Sequence, residues 1–145
     1  MDKIKDYDSK KVLVFLDFDN VHLLNKLHSY KVVDSRIKGT FSFNADIIAR
    51  WYSGDEIVII FNTSLANSKK SLLAFEKSAK RNNLTFTSAL TEWDPKSESI
   101  TSAVDKLSER VTLLKSQKAR APNPELKKLG YWGRRREDIK LLPAQ

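Results

Sequence analysis

Asp17, Asp19 and Asn20 stand within four positions of one another, at the end of the apolar run Val12–Leu16. Two carboxylates and a carboxamide at that spacing present hard oxygen ligands, which suit Mg²⁺ or Mn²⁺ ions that keep several waters. An ion held there generates a hydroxide nucleophile and neutralises charge on a phosphoryl oxygen. The same residue types also form turns that cap a following helix. Burying such groups without partners costs roughly 2–7 kcal/mol each. The end of this strand is therefore either a working site or a turn.

The elements around it follow from periodicity. Val12–Leu16 and Ile57–Phe61 are continuous apolar runs, as expected of central strands covered on both faces. Residues 84–90 and 111–114 read as two further strands. Helices are predicted over 21–28, over 44–51 with Asn44 as N-cap and Gly54 as terminator, over 68–81, over 99–108 and over 125–129. Residues 31–44 fit either a hairpin or a long loop. Strands alternating with helices at this spacing imply right-handed crossovers. The expected fold class is α/β: a Rossmann-like three-layer sandwich with a mostly parallel sheet of about four strands. Residues 1–117 would form this domain and residues 118–145 a basic C-terminal extension. In such sheets ligands sit outside the carboxyl ends of the strands, which is where Asp17 and Asp19 fall.

Composition narrows the function classes. With 145 residues, 41% hydrophobic, the chain is long enough for one domain with a real core. There are no cysteines, which excludes disulfide scaffolds, cysteine-ligated zinc and cysteine nucleophiles. Four glycines form neither a P-loop nor a dinucleotide fingerprint. His22 and His28 are six apart and do not share a helical face. Trp51 and Trp93 read as packing residues. The charged start and the lack of an apolar span of membrane length point to a soluble, cytoplasmic protein. The formal net charge of +8 is concentrated: residues 110–145 carry +7. Within that segment Tyr131 and Trp132 precede Arg134, Arg135 and Arg136, combining stacking surfaces with phosphate-binding guanidinium groups; Lys127 and Lys128 stand just upstream. These residues imply a polyanionic partner, RNA or a ribonucleoprotein.

The stretch "VFLDFDNVHLL" resembles the first motif of the NYN family, PIN-like metal-dependent ribonucleases, at Asp17 and Asn20. The segment "KSESITSAVDKL" keeps Lys96 and Asp105 of a second family motif, but Ser99 replaces its middle acid. Where a last acidic pair is expected, the chain has Lys115, Ser116 and Gln117. The resemblance implies a nuclease acting on RNA, with Asp17, Asp19 and Asp105 on a Mg²⁺ or Mn²⁺ ion and Asn20 orienting the site. With those acids missing, it also admits a degenerate domain that binds RNA or a ribosome without cleaving. "LDFDNV" also resembles, almost as well, the first motif of haloacid dehalogenase-type phosphohydrolases. There Asp17 would be the nucleophile, Asp19 the general acid/base, and Thr63 and Lys96 the partners. The position of Asp105, or of Thr63 with Lys96, relative to Asp17 separates the two resemblances.

Overall fold

The computed structural model describes residues 10–40, 47–51, 55–118 and 123–128. Strand β1 (Lys11–Phe18) leads into helices α1 (Val21–Leu27) and α2 (Tyr30–Thr40). Strands β2 (Ile47–Arg50) and β3 (Glu56–Phe61) follow. Then come helix α3 (Leu65–Arg81), strand β4 (Phe86–Trp93), helix α4 (Ile100–Gln117) and the short α5 (Pro124–Lys128).

The four strands form one sheet in the order β2-β3-β1-β4, and every neighbouring pair is antiparallel. This corrects the parallel Rossmann-like expectation: the architecture is α+β. Two split βαβ units interlock, each crossover passing over a strand of the other. The decisive segment is 47–61, where a predicted helix is a hairpin. Ile47 and Ile48 are β-branched, and Trp51 N–H donates to Glu56 O at 2.8 Å across the turn. The pairing of Ile47 with Ile60 reverses the chain between β2 and β3. Asn44 and Gly54, proposed to bound that helix, lie outside the described residues.

The run Val12–Leu16 of β1 is apolar because both of its faces are covered. Val12, Val14, Leu16 and Phe18 join Leu24, Val33, Ile37, Leu72 and Phe75 from α1, α2 and α3 in one core. Leu13 and Phe15 point the other way, with Ala103, Val104, Leu107 and Val111 of α4. Side chains alternate across a strand, so Asp17 belongs to the α4 face.

Residues 111–114, predicted as a strand, are the continuation of α4. Val104, Leu107 and Val111 keep one helical stripe and no Gly or Pro interrupts it; tertiary packing overrides the β-propensity of Val111 and Thr112. Ser99, where the nuclease resemblance expects an acid, is the N-cap of α4, its hydroxyl accepting from Ser102 N–H at 3.1 Å. Residues 31–40, open between hairpin and loop, are helical. No helix among the described residues is long and apolar enough to cross a membrane.

Candidate functional site

At the end of β1 the chain turns through Asn20, whose left-handed backbone (φ 60°) is tolerated by an Asx residue, and enters α1. β1 pairs Asp17 with Glu56 on one side and Thr87 on the other. The β2–β3 turn and the start of β4 therefore share this rim. Phe18 N–H donates to Asp55 O at 3.0 Å and Asp19 N–H to Thr85 O at 2.9 Å. The C-terminal end of α4 arrives from the opposite face with two lysines.

Asp19 is buried and saturated. Its carboxylate accepts from the Thr85 hydroxyl at 2.9 Å, the Thr87 hydroxyl at 3.0 Å and Lys118 Nζ at 3.2 Å, with Lys115 Nζ 3.6 Å away. Lys118 spends its other two donors on Phe86 O at 3.0 Å and the Thr87 hydroxyl at 2.9 Å. Asp17 is less well served. Lys115 Nζ reaches its Oδ2 at 3.1 Å, while Oδ1 is buried with no hydrogen-bond partner. Burial pushes the Asp17 carboxyl up from 3.8 to about 6. Lys115 opposes the rise, and the Asp55 and Glu56 carboxylates add to it.

Between pH 4 and pH 6 the folded chain binds more protons than the unfolded one, so Asp17 makes stability fall as pH rises through this window. Asp17→Asn lacks the effect. In urea melts from pH 4 to pH 7.5, the variant should gain on the wild type up to about pH 6 and then hold a constant difference. A difference that does not change with pH would contradict the burial of Asp17.

The structure brings together Asp17, Asp19 and Asn20 but none of the other proposed partners. Asp105 is exposed on α4, ten residues before Lys115, or about 15 Å along the helix. Thr63 and Lys96 belong to the opposite rim, where Phe61 pairs with Val12 and Trp93 with Lys11, about 17 Å away along β1. Thr63 there accepts from Asn67 Nδ2 at 3.2 Å, and Lys96 N–H donates to Asp94 Oδ1 at 3.0 Å. Neither the nuclease acid set nor the phosphohydrolase quartet assembles. Tyr131, Trp132, Arg134, Arg135 and Arg136 lie outside the described residues; Lys127 and Lys128 end α5.

Beside the rim opens a pocket of about 280 Å³ between α1, α2 and the β2–β3 hairpin, which sequence reasoning missed. Val21, Val33 and Ile37 give it an apolar wall. His22, Asn25, Asp34, Arg50 and Asp55 supply the polar groups. Asn25 Oδ1 is buried with no hydrogen-bond partner. Asp34 is held by Arg50 at 2.5 Å and Lys38 at 3.1 Å, whose bonds keep its carboxyl below the usual range and hence ionised. Each of its oxygens has one such partner and retains capacity for a second. An apolar slot ending in an acceptor-only carboxylate and an unsatisfied carboxamide oxygen suits a flat heterocycle with adjacent N–H donors.

No protein-family model matches the sequence, and no curated protein matches it. Solved structures do. A microbial GGDEF domain studied for its interaction with bis-(3′,5′)-cyclic di-GMP superposes with a TM-score of 0.63 at 18% identity, covering 77% of this chain and 74% of its own. The diguanylate cyclase SiaD of Pseudomonas aeruginosa, in complex with its activator SiaC, gives 0.63 at 19% identity. There 74% of this chain is covered, but only 47% of SiaD. The fold is that of GGDEF domains. The resemblances to NYN/PIN-like ribonucleases and to haloacid dehalogenase-type phosphohydrolases, carried by short motifs alone, are thereby overturned: the described strands pair antiparallel. With them fall the nuclease function, the RNA-binding module and the RNA or ribonucleoprotein partner; SiaD is seen with a protein activator instead. The five letters GGDEF also have a sequence counterpart in Ser53, Gly54, Asp55, Glu56 and Ile57, identical at three positions. Ser53 and Gly54, turn-forming residue types between Ile47 and the run Ile57–Phe61, are the sequence signal that would have pointed to a hairpin there.

Proposed function

We propose that this domain binds a guanine nucleotide, with the base in the α1–α2 pocket and the phosphates over the rim formed by Asp17, Asp55, Glu56 and Lys115. The observation that carries the reading is the pocket's polar pair. Guanine offers adjacent N1–H and N2–H donors for the Asp34 carboxylate and the Asn25 carboxamide oxygen, whereas adenine presents an acceptor at its N1 edge. Support comes from the GGDEF fold, from Asp55 and Glu56 in the counterpart of its five letters, and from the neighbour studied with a cyclic guanine dinucleotide.

Among the described residues no three His, Cys, Asp or Glu side chains are grouped closely enough to cage a metal ion. Mg²⁺ on nucleotides does not need such a cage: one or two carboxylates plus phosphate oxygens and water suffice. The partnerless Oδ1 of Asp17 fits that role, with Asp55 and Glu56 adding negative charge nearby. Mg²⁺ or Mn²⁺ bound there would neutralise phosphate charge. Lys118 is fully committed to Asp19, Phe86 and Thr87. Lys115 donates to Asp17 Oδ2 at 3.1 Å and to Phe18 O at 3.3 Å, so a phosphate over the rim would meet Lys115 by displacing one of these two bonds.

Titration calorimetry of the purified chain with GTP, ATP and cyclic di-GMP, each with and without Mn²⁺, tests the reading. GTP is expected to bind at least about tenfold more tightly than ATP, the value of one discriminating hydrogen bond. Equal affinities, or no binding of any guanine nucleotide, would overturn it.

A further inference from the structure

Helix α5 is only five residues long, yet it is tied to three other helices. Asn123 is fully buried; its Oδ1 accepts from Glu125 N–H at 2.9 Å and Leu126 N–H at 3.2 Å, and its Nδ2 donates to Asn83 O at 2.7 Å, at the end of α3. Leu126 is buried in the same core cluster as Leu24, Val33 and Ile37. Glu125 reaches both pocket helices at once. Its Oε2 accepts from Arg36 Nη1 of α2 at 2.8 Å, and its Oε1 meets Nε2 of His28, the C-cap of α1.

We propose that Glu125 is a positioning residue for the nucleotide pocket, acting as a strap that sets the spacing of α1 and α2. The proposal rests on the guanine-nucleotide reading of that pocket. α1 has only seven residues, too few to hold itself in place without packing partners. Only His28 and Ser29 join it to α2. Asn25 lies three residues before His28, and Asp34 two residues before Arg36. A change in the distance between His28 and Arg36 therefore moves the two base-recognising side chains relative to each other. About four-fifths of each side chain in the Arg36–Glu125 pair is shielded from solvent, so these charge-assisted bonds hold more firmly than a surface pair.

The test uses Glu125→Ala in the full chain, with Leu107→Ala as control; Leu107 belongs to the core on the other face of the sheet. Two quantities are read well below the melting temperature: the Kd for GTP, and amide hydrogen exchange over residues 21–37 without nucleotide. Glu125→Ala is expected to raise Kd at least tenfold and to speed exchange across α1 and α2. Leu107→Ala should lower the melting temperature while leaving both readouts unchanged. Unchanged exchange in Glu125→Ala overturns the strap, as does an unchanged Kd, and so does an equal effect of the control. If the wild type binds no guanine nucleotide, the pocket reading fails and the exchange data alone decide whether Glu125 fixes the two helices.

Discussion

Asn25→Leu is expected to weaken GTP binding by about 100-fold while leaving the protein as stable as the wild type, or more so. The two halves of this result have one cause. Asn25 Oδ1 is buried in the free protein without a partner, which costs about 1–3 kcal/mol. Leucine has nearly the same shape and no polar atom, so folding is relieved of that cost. In the complex, the donor of the base that would have met the carboxamide faces a methyl group instead and is left unsatisfied. At about 1.4 kcal/mol per tenfold, losing the bond and stranding its donor together amount to about two decades of affinity. A site that recognises by hydrogen bonds discriminates more sharply than an apolar slot of equal size. Urea melts and calorimetry on the same preparation read both halves. A variant that is destabilised and weakened in proportion would mean that Asn25 is a folding residue. One that keeps full affinity would remove the base from this pocket.

The polar groups of the rim were legible in "LDFDN", because an apolar run ending in two acids leaves few structural explanations. The fold that positions them was not. A strand covered on both faces has the same composition in a parallel sheet and in an antiparallel one with α4 packed behind it, so Val12–Leu16 carried no information about direction. Direction was encoded in the β2–β3 turn, and there Ile47, Ile48 and Trp51 also satisfy helical spacing. Reading 47–51 as a helix removed the hairpin and with it the antiparallel register. The lysines were misread for a related reason. In the sequence Lys115 marks only a missing acid, yet it pairs with Asp17 because α4 continues through residues 111–114. Asn25 and Asp34 lie on different helices, nine residues apart, and it takes the tight joint at His28 and Ser29 to bring them to one pocket.

Asp19→Ala is expected to cost about 1–3 kcal/mol of stability: the carboxylate is buried, but Lys118 keeps 36% of its side chain exposed, so the ammonium left behind is partly solvated. The variant leaves the Lys118 ammonium beside a main-chain carbonyl and one hydroxyl, and it strands the hydroxyl hydrogens of Thr85 and Thr87. With urea m-values of about 1–3 kcal/mol/M, the midpoint should fall by roughly 1 M. Much of that loss belongs to the groups left without Asp19, the two hydroxyls and the lysine, rather than to the pair itself, so Asp19→Leu combined with Lys118→Met should recover part of it. Additive losses in the double variant would show that Asp19 and Lys118 act separately. The network also decides what the neighbouring acid can do. Because Asp19 binds Lys118 and takes part of the charge of Lys115, Asp17 is left with one oxygen uncompensated at the rim. Asp19→Ala would free Lys115 to pair with Asp17 alone. The expected consequence is a weaker response of nucleotide affinity to Mn²⁺ in whatever fraction of the variant stays folded. An Mn²⁺ response as strong as that of the wild type would place the ion away from Asp17.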